Sequence, residues 1–245
     1  GLLSLGAPPE TEMQRLDAFY EGLDQEFQRH GARLIGGDNV RAPQWTLTLT
    51  LVGTLSQDAA IAGRHRARPG QSLYVTGSPG ESYAGFLILE RGLSVEEPHR
   101  ARLVSRHIAP EVDARVGEAL VRGCDDLAMI DLSDGLAIDA GRVAARSDVA
   151  IVLEEGGLPC SPALEAAADA SGRSAPEMVL HGGEDYELLF CTGKSLDELE
   201  HLLKNAGLSL SISRIGRVEK GAGVHLVRSG GQREEITPAG YEHFA

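Results

Sequence analysis

Short apolar runs alternate with stretches of helical periodicity along most of this chain, and that alternation restricts its fold more than any other feature. Residues 73–76, 127–131, 149–153, 186–191, 208–215 and 224–228 read as strands. Between them the spacing predicts helices near residues 82–91, 101–108, 112–122, 135–146 and 196–206. Strands interleaved with helices give an α/β or α+β architecture, a sheet covered by helices. Upstream, residues 11–31 read as a helix. Thr11 and Gln14 have capping-box spacing, Gly31 is a stop, and Met13, Leu16, Tyr20, Leu23 and Phe27 share one face. Gly36-Gly37-Asp38-Asn39 then reads as a turn, and residues 45–55 as a strand. In that strand Trp45, Leu47, Leu49 and Leu51 alternate with Thr46, Thr48 and Thr50, so one face is apolar and the other threonine-rich. The polar stretch 56–70 marks a domain boundary.

Charge and cysteine usage remove several function classes. The 245 residues carry a net charge of −13, and a nucleic-acid partner requires a basic face to neutralise phosphates. No run approaches the ~18 apolar residues of a membrane span. The opening Gly1-Leu2-Leu3-Ser4-Leu5 lacks the basic start and apolar core of a secretory signal. Cys124, Cys160 and Cys191 form no Cys-x-x-Cys pair and suit a reducing, cytoplasmic setting. Gly193-Lys194-Ser195 ends like a phosphate-binding P-loop, but Leu188 stands where its first glycine belongs. Neither Gly-x-Ser-x-Gly nor His-Glu-x-x-His occurs.

Four motifs remain. Asp131-Leu132-Ser133-Asp134-Gly135 lies where a strand ends and a helix begins, the end of an open α/β sheet that binds ligands. Two carboxylates and a hydroxyl there suit Mg²⁺ and phosphate, although Ser133 or Asp134 could instead serve as an N-cap. The paired glycines of Gly36-Gly37-Asp38-Asn39 permit close backbone approach to a ligand, and taken alone also fit an ordinary helix-to-strand connection. His181-Gly182-Gly183-Glu184-Asp185-Tyr186-Glu187 reads equally as a ligand loop or a solvated turn. Thr76-Gly77-Ser78-Pro79-Gly80-Glu81-Ser82 has the form of a phosphate-cradling turn without matching a dinucleotide or P-loop pattern.

Taken in order, these motifs resemble the thiamine-monophosphate kinase family of the aminoimidazole-ribotide-synthetase-like superfamily. The resemblance starts at Leu3-Ser4-Leu5-Gly6-Ala7-Pro8-Pro9 and passes through the motifs at Gly36, Tyr74, Asp131 and Gly183. It ends at Gly240-Tyr241-Glu242-His243-Phe244. The chain departs from the family pattern at Asn39, where threonine is usual, and in having no counterpart of the family's N-terminal acidic segment. The resemblance implies a two-domain fold. Residues 1–58 would be the remaining part of an N-terminal ATP-binding and dimerisation domain, and 59–245 a complete C-terminal α/β domain. It implies ATP-dependent phosphorylation of thiamine phosphate to thiamine diphosphate by direct in-line transfer, with no protein nucleophile. Asp38, Asp131 and Asp134 would ligate Mg²⁺. Gly37, Asp38, Arg64 and Ser133 would contact ATP. Glu184 and Tyr241 would hold the thiamine side. It also implies a cytoplasmic homodimer, with the 245 residues alone impaired. Another superfamily enzyme, such as selenophosphate synthetase, and a non-catalytic nucleotide-binding or scaffold module are the competing readings.

Overall fold

The computed structural model describes residues 1–54 and 61–237, and the chain divides into two compact units, Gly1–Ala59 and Ala60–Ala245. In the first unit, strand β1 (Leu2–Ala7) is followed by helix α1 (Met13–Arg29) and strands β2 (Gly36–Arg41) and β3 (Thr46–Thr50). The sheet order is β2-β1-β3, with β1 parallel to β2 and antiparallel to β3. Leu3 pairs with Leu49 and Leu5 with Leu47, so these four side chains share the face that α1 covers. Leu3, Leu5 and Ala7 are buried there against Leu16, Phe19, Tyr20, Leu23, Leu34 and Trp45. Leu47 and Leu49, on the edge strand, stay 47% and 43% exposed.

Four expectations for this unit need correction. The Thr11–Gln14 capping box is not formed: Glu12 is the N-cap, without a side-chain cap bond, because the Thr11 N–H already donates to Pro8 O at 3.0 Å. Met13 falls off the buried face and is exposed. Gly36–Asn39 is not a turn but the start of β2, where parallel pairing with β1 outweighs local turn propensity. A Cβ on Gly37 would lie 1.8 Å from Leu3 O, so this glycine admits a neighbouring strand. The strand read over 45–55 is limited to Thr46–Thr50, because β1 offers partners only for Leu2 to Gly6; Leu55 lies outside the described residues.

The second unit is built on one sheet of seven strands. Strands β4 (Ser72–Thr76), β5 (Ala128–Asp131), β6 (Ala150–Glu154), β7 (Leu188–Thr192), β8 (Ile212–Glu219), β9 (Val224–Val227) and β10 (Arg233–Glu235) lie in the order β10-β9-β6-β8-β4-β7-β5. Among the described residues of this sheet only β6 and β9 pair in parallel. Alternation along the central strands feeds two cores. Leu73, Val75, Leu189 and Cys191 point to one side, while Tyr74 and Phe190 point to the other and stack at 5.4 Å. Helices α4 (Ala114–Gly123) and α8 (Leu196–Asn205) close the Tyr74 side with Val116, Leu120, Leu199 and Leu203. Helices α2 (Glu81–Arg91), α3 (His99–Ile108), α5 (Leu136–Ser147), α6 (Pro162–Ser171) and α7 (Ala175–His181) contribute to the other.

The α/β class is as the sequence reads. Helices α6 and α7 and the short polar β10 are additions to it. Both helices carry proline in the first turn, where the missing N–H costs nothing, beneath the serine N-caps Ser161 and Ser174. Strand β8 begins at Ile212 rather than 208, since Leu208 and Leu210 are drawn into the α8-side core.

Candidate functional site

Strands β4 and β5 both run antiparallel to β7, so their C-terminal ends lie beside the start of β7. Three loops therefore meet at one end of this sheet: 76–80, 131–135 and 182–187. The last two are joined by backbone hydrogen bonds, each 2.8 Å long. Leu132 N–H donates to Glu187 O, Tyr186 N–H to Leu132 O, and Glu184 N–H to Ser133 O. Glu184 and Tyr186 hold left-handed conformations, φ +64° and +53°, and it is the N–H groups of these two alternate residues that meet loop 131–135. A Cβ on Gly183 would sit 2.9 Å from Ser133 O, so the glycine permits the close approach.

Loop 131–135 is held from below by a residue outside the motif. Asp139 is wholly buried and accepts the N–H groups of Ser133, Asp134 and Gly135, each at 3.2 Å. Gly135, at φ +124°, is the α5 N-cap and makes no side-chain cap bond, so neither Ser133 nor Asp134 is the cap. Arg142, one turn further on, bridges Asp139 and Asp134. Burial holds the Asp139 carboxyl above the usual carboxylate range, against the pull of those N–H donors and of Arg142.

Loop 182–187 is fixed from the α2 side. Asp185, 7% exposed, accepts from Gly80 N–H at 2.7 Å and Ser82 N–H at 3.1 Å. Burial pushes its carboxyl up to about 7. Glu187 accepts from Thr76 Oγ1 at 2.6 Å and from Arg106. Glu81, fully buried, accepts from Arg102 Nε at 3.0 Å and from Ser161 Oγ at 2.5 Å. His107 Nδ1 lies 3.2 Å from Ser82 Oγ and 3.7 Å from Glu184 Oε2.

Of the residues singled out in the sequence, Asp131, Ser133, Asp134 and Glu184 are brought together on the two interlocked loops. Asp131 is exposed at the end of β5 and makes no side-chain hydrogen bond or ion pair among the described residues. Arg64 stands elsewhere: its carbonyl accepts from Ser147 Oγ at 2.7 Å, at the far end of α5, about 18 Å of helix from loop 131–135. Gly37 and Asp38 belong to the first unit, on β2, and line a cavity of about 230 Å³ with Leu3, Tyr20, Leu34, Gly36 and Asn39. Tyr20 Oη donates to Asn39 Oδ1 at 2.8 Å. Tyr241 lies outside the described residues. Asp139, Arg142 and Arg106 stand outside every motif, with an acid in the first turn of α5 the one signal for Asp139; Glu81 lies within the 76–82 motif, but its buried role there was not among the expectations.

No group of three His, Cys, Asp or Glu side chains forms a ready metal cage among the described residues. Asp131 and Asp134 are two carboxylates on one loop, one of them unpaired. That set fits Mg²⁺, which is commonly held by one or two carboxylates with substrate phosphates completing its shell.

Residues 68–228 match the family described as AIR synthase related protein, C-terminal domain. The chain is 30% identical to the thiamine-monophosphate kinase of Aquifex aeolicus over 99% of this chain and 73% of that protein. Against the Escherichia coli K12 thiamine-monophosphate kinase the identity is 34%, over 97% and 71%. Among solved structures, AaThiL complexed with AMPPCP and TMP superposes with a TM-score of 0.76 at 29% identity, covering 99% of this chain and 72% of that one. E. coli HypE, a hydrogenase maturation protein, reaches a TM-score of 0.77 at 20% identity over 99% and 74%, a likeness of fold.

Proposed function

Because this chain belongs to the thiamine-monophosphate kinase family, we propose that its interlocked loops serve ATP-dependent transfer of a phosphoryl group to thiamine phosphate, yielding thiamine diphosphate and ADP. The observation that carries this reading is the convergence of Asp131, Ser133, Asp134 and Glu184 at one end of the seven-stranded sheet. A phosphate oxygen of the substrate attacks the γ-phosphorus in line, so the protein supplies position and charge compensation in place of a nucleophile. The side chains suit that division of labour: Cys191 is buried with its thiol pushed up to about 12, and Asp131 is an open carboxylate.

In this reading Asp131 and Asp134 hold Mg²⁺, and Asp38, on β2 of the first unit, is proposed as a metal ligand from the family resemblance alone. Mg²⁺, when bound, offsets the repulsion between two phosphate groups in a protein of net charge −13. Ser133 and Gly37 contact the nucleotide, and Arg64 is a further proposed contact whose place beyond α5 allows it to be tested separately. Glu184 offers a carboxylate to the cationic thiamine rings, and Tyr241 an aromatic face. A cytoplasmic homodimer completes the reading; the free thiols of Cys124, Cys160 and Cys191 support a reducing compartment.

The test is formation of thiamine diphosphate by the full-length protein with ATP and Mg²⁺. Asp131→Asn should lower turnover about 10²–10³-fold, the usual size of one transition-state electrostatic contact. Nucleotide binding without turnover in the wild type would favour the scaffold reading. Full turnover in a folded Asp131→Asn protein would remove Asp131 from the metal site.

A further inference from the structure

We propose that Arg142 is an internal stand-in for the divalent cation at Asp134: its guanidinium occupies that carboxylate when no cation is bound and is released when one arrives. This rests on the reading of Asp131 and Asp134 as metal ligands given above.

The two acids that share Arg142 are unequal. Asp139 is fully buried and keeps three backbone N–H donors whether or not the guanidinium stays. Asp134 is partly exposed, and Arg142 is its one ion-pair partner among the described residues. A bond to Arg142 is therefore one of four supports for Asp139 and the whole of the charge compensation at Asp134. The Arg142 side chain is itself 37% exposed, a long stem that can swing toward solvent without unpacking a core.

One guanidinium nitrogen, Nη2, holds the Asp134 oxygen Oδ2 while Nη1 holds Asp139, and Asp131 stands three residues before Asp134 on the same loop. A divalent cation drawn between the two acids meets a fixed positive charge of like sign, which lowers affinity for the bare ion. A cation that arrives with phosphate oxygens changes the balance. The displaced guanidinium then has a new anion within reach, for which its planar fork is well shaped. Arg142 thus couples the two ligands: the site disfavours the metal alone and accepts it with the nucleotide, and the coupling runs equally in both directions.

The probe is Mn²⁺, titrated into the full-length protein alone and with AMPPCP, with free Mn²⁺ read by electron paramagnetic resonance. Arg142→Gln should bind Mn²⁺ alone about fivefold more tightly than wild type, the worth of one partly exposed ion pair. It should also lose most of the tightening that AMPPCP gives the wild type. Arg142→Lys, which keeps the charge, should stay within about twofold of wild type. Unchanged or weaker binding by Arg142→Gln overturns the inference alone. Absence of Mn²⁺ binding by the wild type, with or without AMPPCP, overturns both this and the proposed metal site. Mn²⁺ behaviour as expected in a protein that makes no thiamine diphosphate sustains the inference and removes the kinase reading. If Arg142→Gln does not fold, the Arg142 Nε resonance of the wild type decides: it should shift on saturation with Mg²⁺ and AMPPCP, and a stationary signal overturns the inference.

Discussion

Asp185 is a carboxyl placed where a neutral acceptor would ordinarily suffice, beneath the first turn of α2. Burial, aided by nearby Glu187, outweighs the pull of the Gly80 and Ser82 N–H groups and of Arg106, and the balance stands at about 7. The folded value lies above the unfolded one of about 3.9. Its contribution to stability is therefore complete below about pH 4 and drains away as pH rises to about 7, because the unfolded chain has already released that proton. The difference in unfolding free energy between wild type and Asp185→Asn should fall across this window by up to about 1.4 kcal/mol per pH unit, then level off. Urea unfolding at a series of pH values measures it. A flat difference would mean that the two N–H donors keep Asp185 ionised throughout.

At the scale of elements, α2 and α3 touch backbone to backbone. A Cβ on Gly85 would lie 2.2 Å from Leu103 O and 2.8 Å from His107 Cβ. Gly85→Ala should therefore cost about 1–3 kcal/mol, as overpacking commonly does. Gly22, inside α1, has nothing within 4 Å of its missing Cβ, and Gly22→Ala should stabilise by about 0.5–1 kcal/mol. Chemical denaturation of the two variants gives opposite shifts if the helix contact is as described. Much of the second unit was legible because apolar runs and helix-periodic stretches alternate with glycine and acid between them. Helices α6 and α7 were not, since Pro162 and Pro176 look like breakers in a sequence and become first-turn residues only once their serine caps are placed. The same limit applies to the site. Asp131, Ser133, Asp134 and Glu184 stand in compact motifs, whereas Arg106 meets Glu187 across 81 residues, a distance that no local pattern spans.

On the scale of the whole molecule, the two units differ in how far they bury themselves. The second has helices on both faces of its sheet. The first has α1 on one face, while the other shows Leu2, Val40 and the threonines of β3 to solvent. Residues 61–245 should unfold cooperatively as a fragment, and residues 1–54 should not fold alone, since three strands with one covered face are marginal. Circular dichroism melts of the two fragments test this. We expect the open face to be covered by a second copy; light scattering over a dilution series that finds only monomer in the full-length protein would overturn the homodimer. The strand order has a further consequence for biosynthesis. Tyr74 of β4 pairs with Phe190 and Arg214, and its hydroxyl bonds Lys194 O, 120 residues downstream. At ~5–20 residues per second, roughly 6–23 s of translation separate this apolar strand from the first of its partners. A nascent chain paused before residue 188 displays β4 and β5 but lacks β7, the strand that joins them. Yield from a ribosome is therefore expected to depend on elongation speed and on any chaperone that shields Leu73-Tyr74-Val75 in that interval.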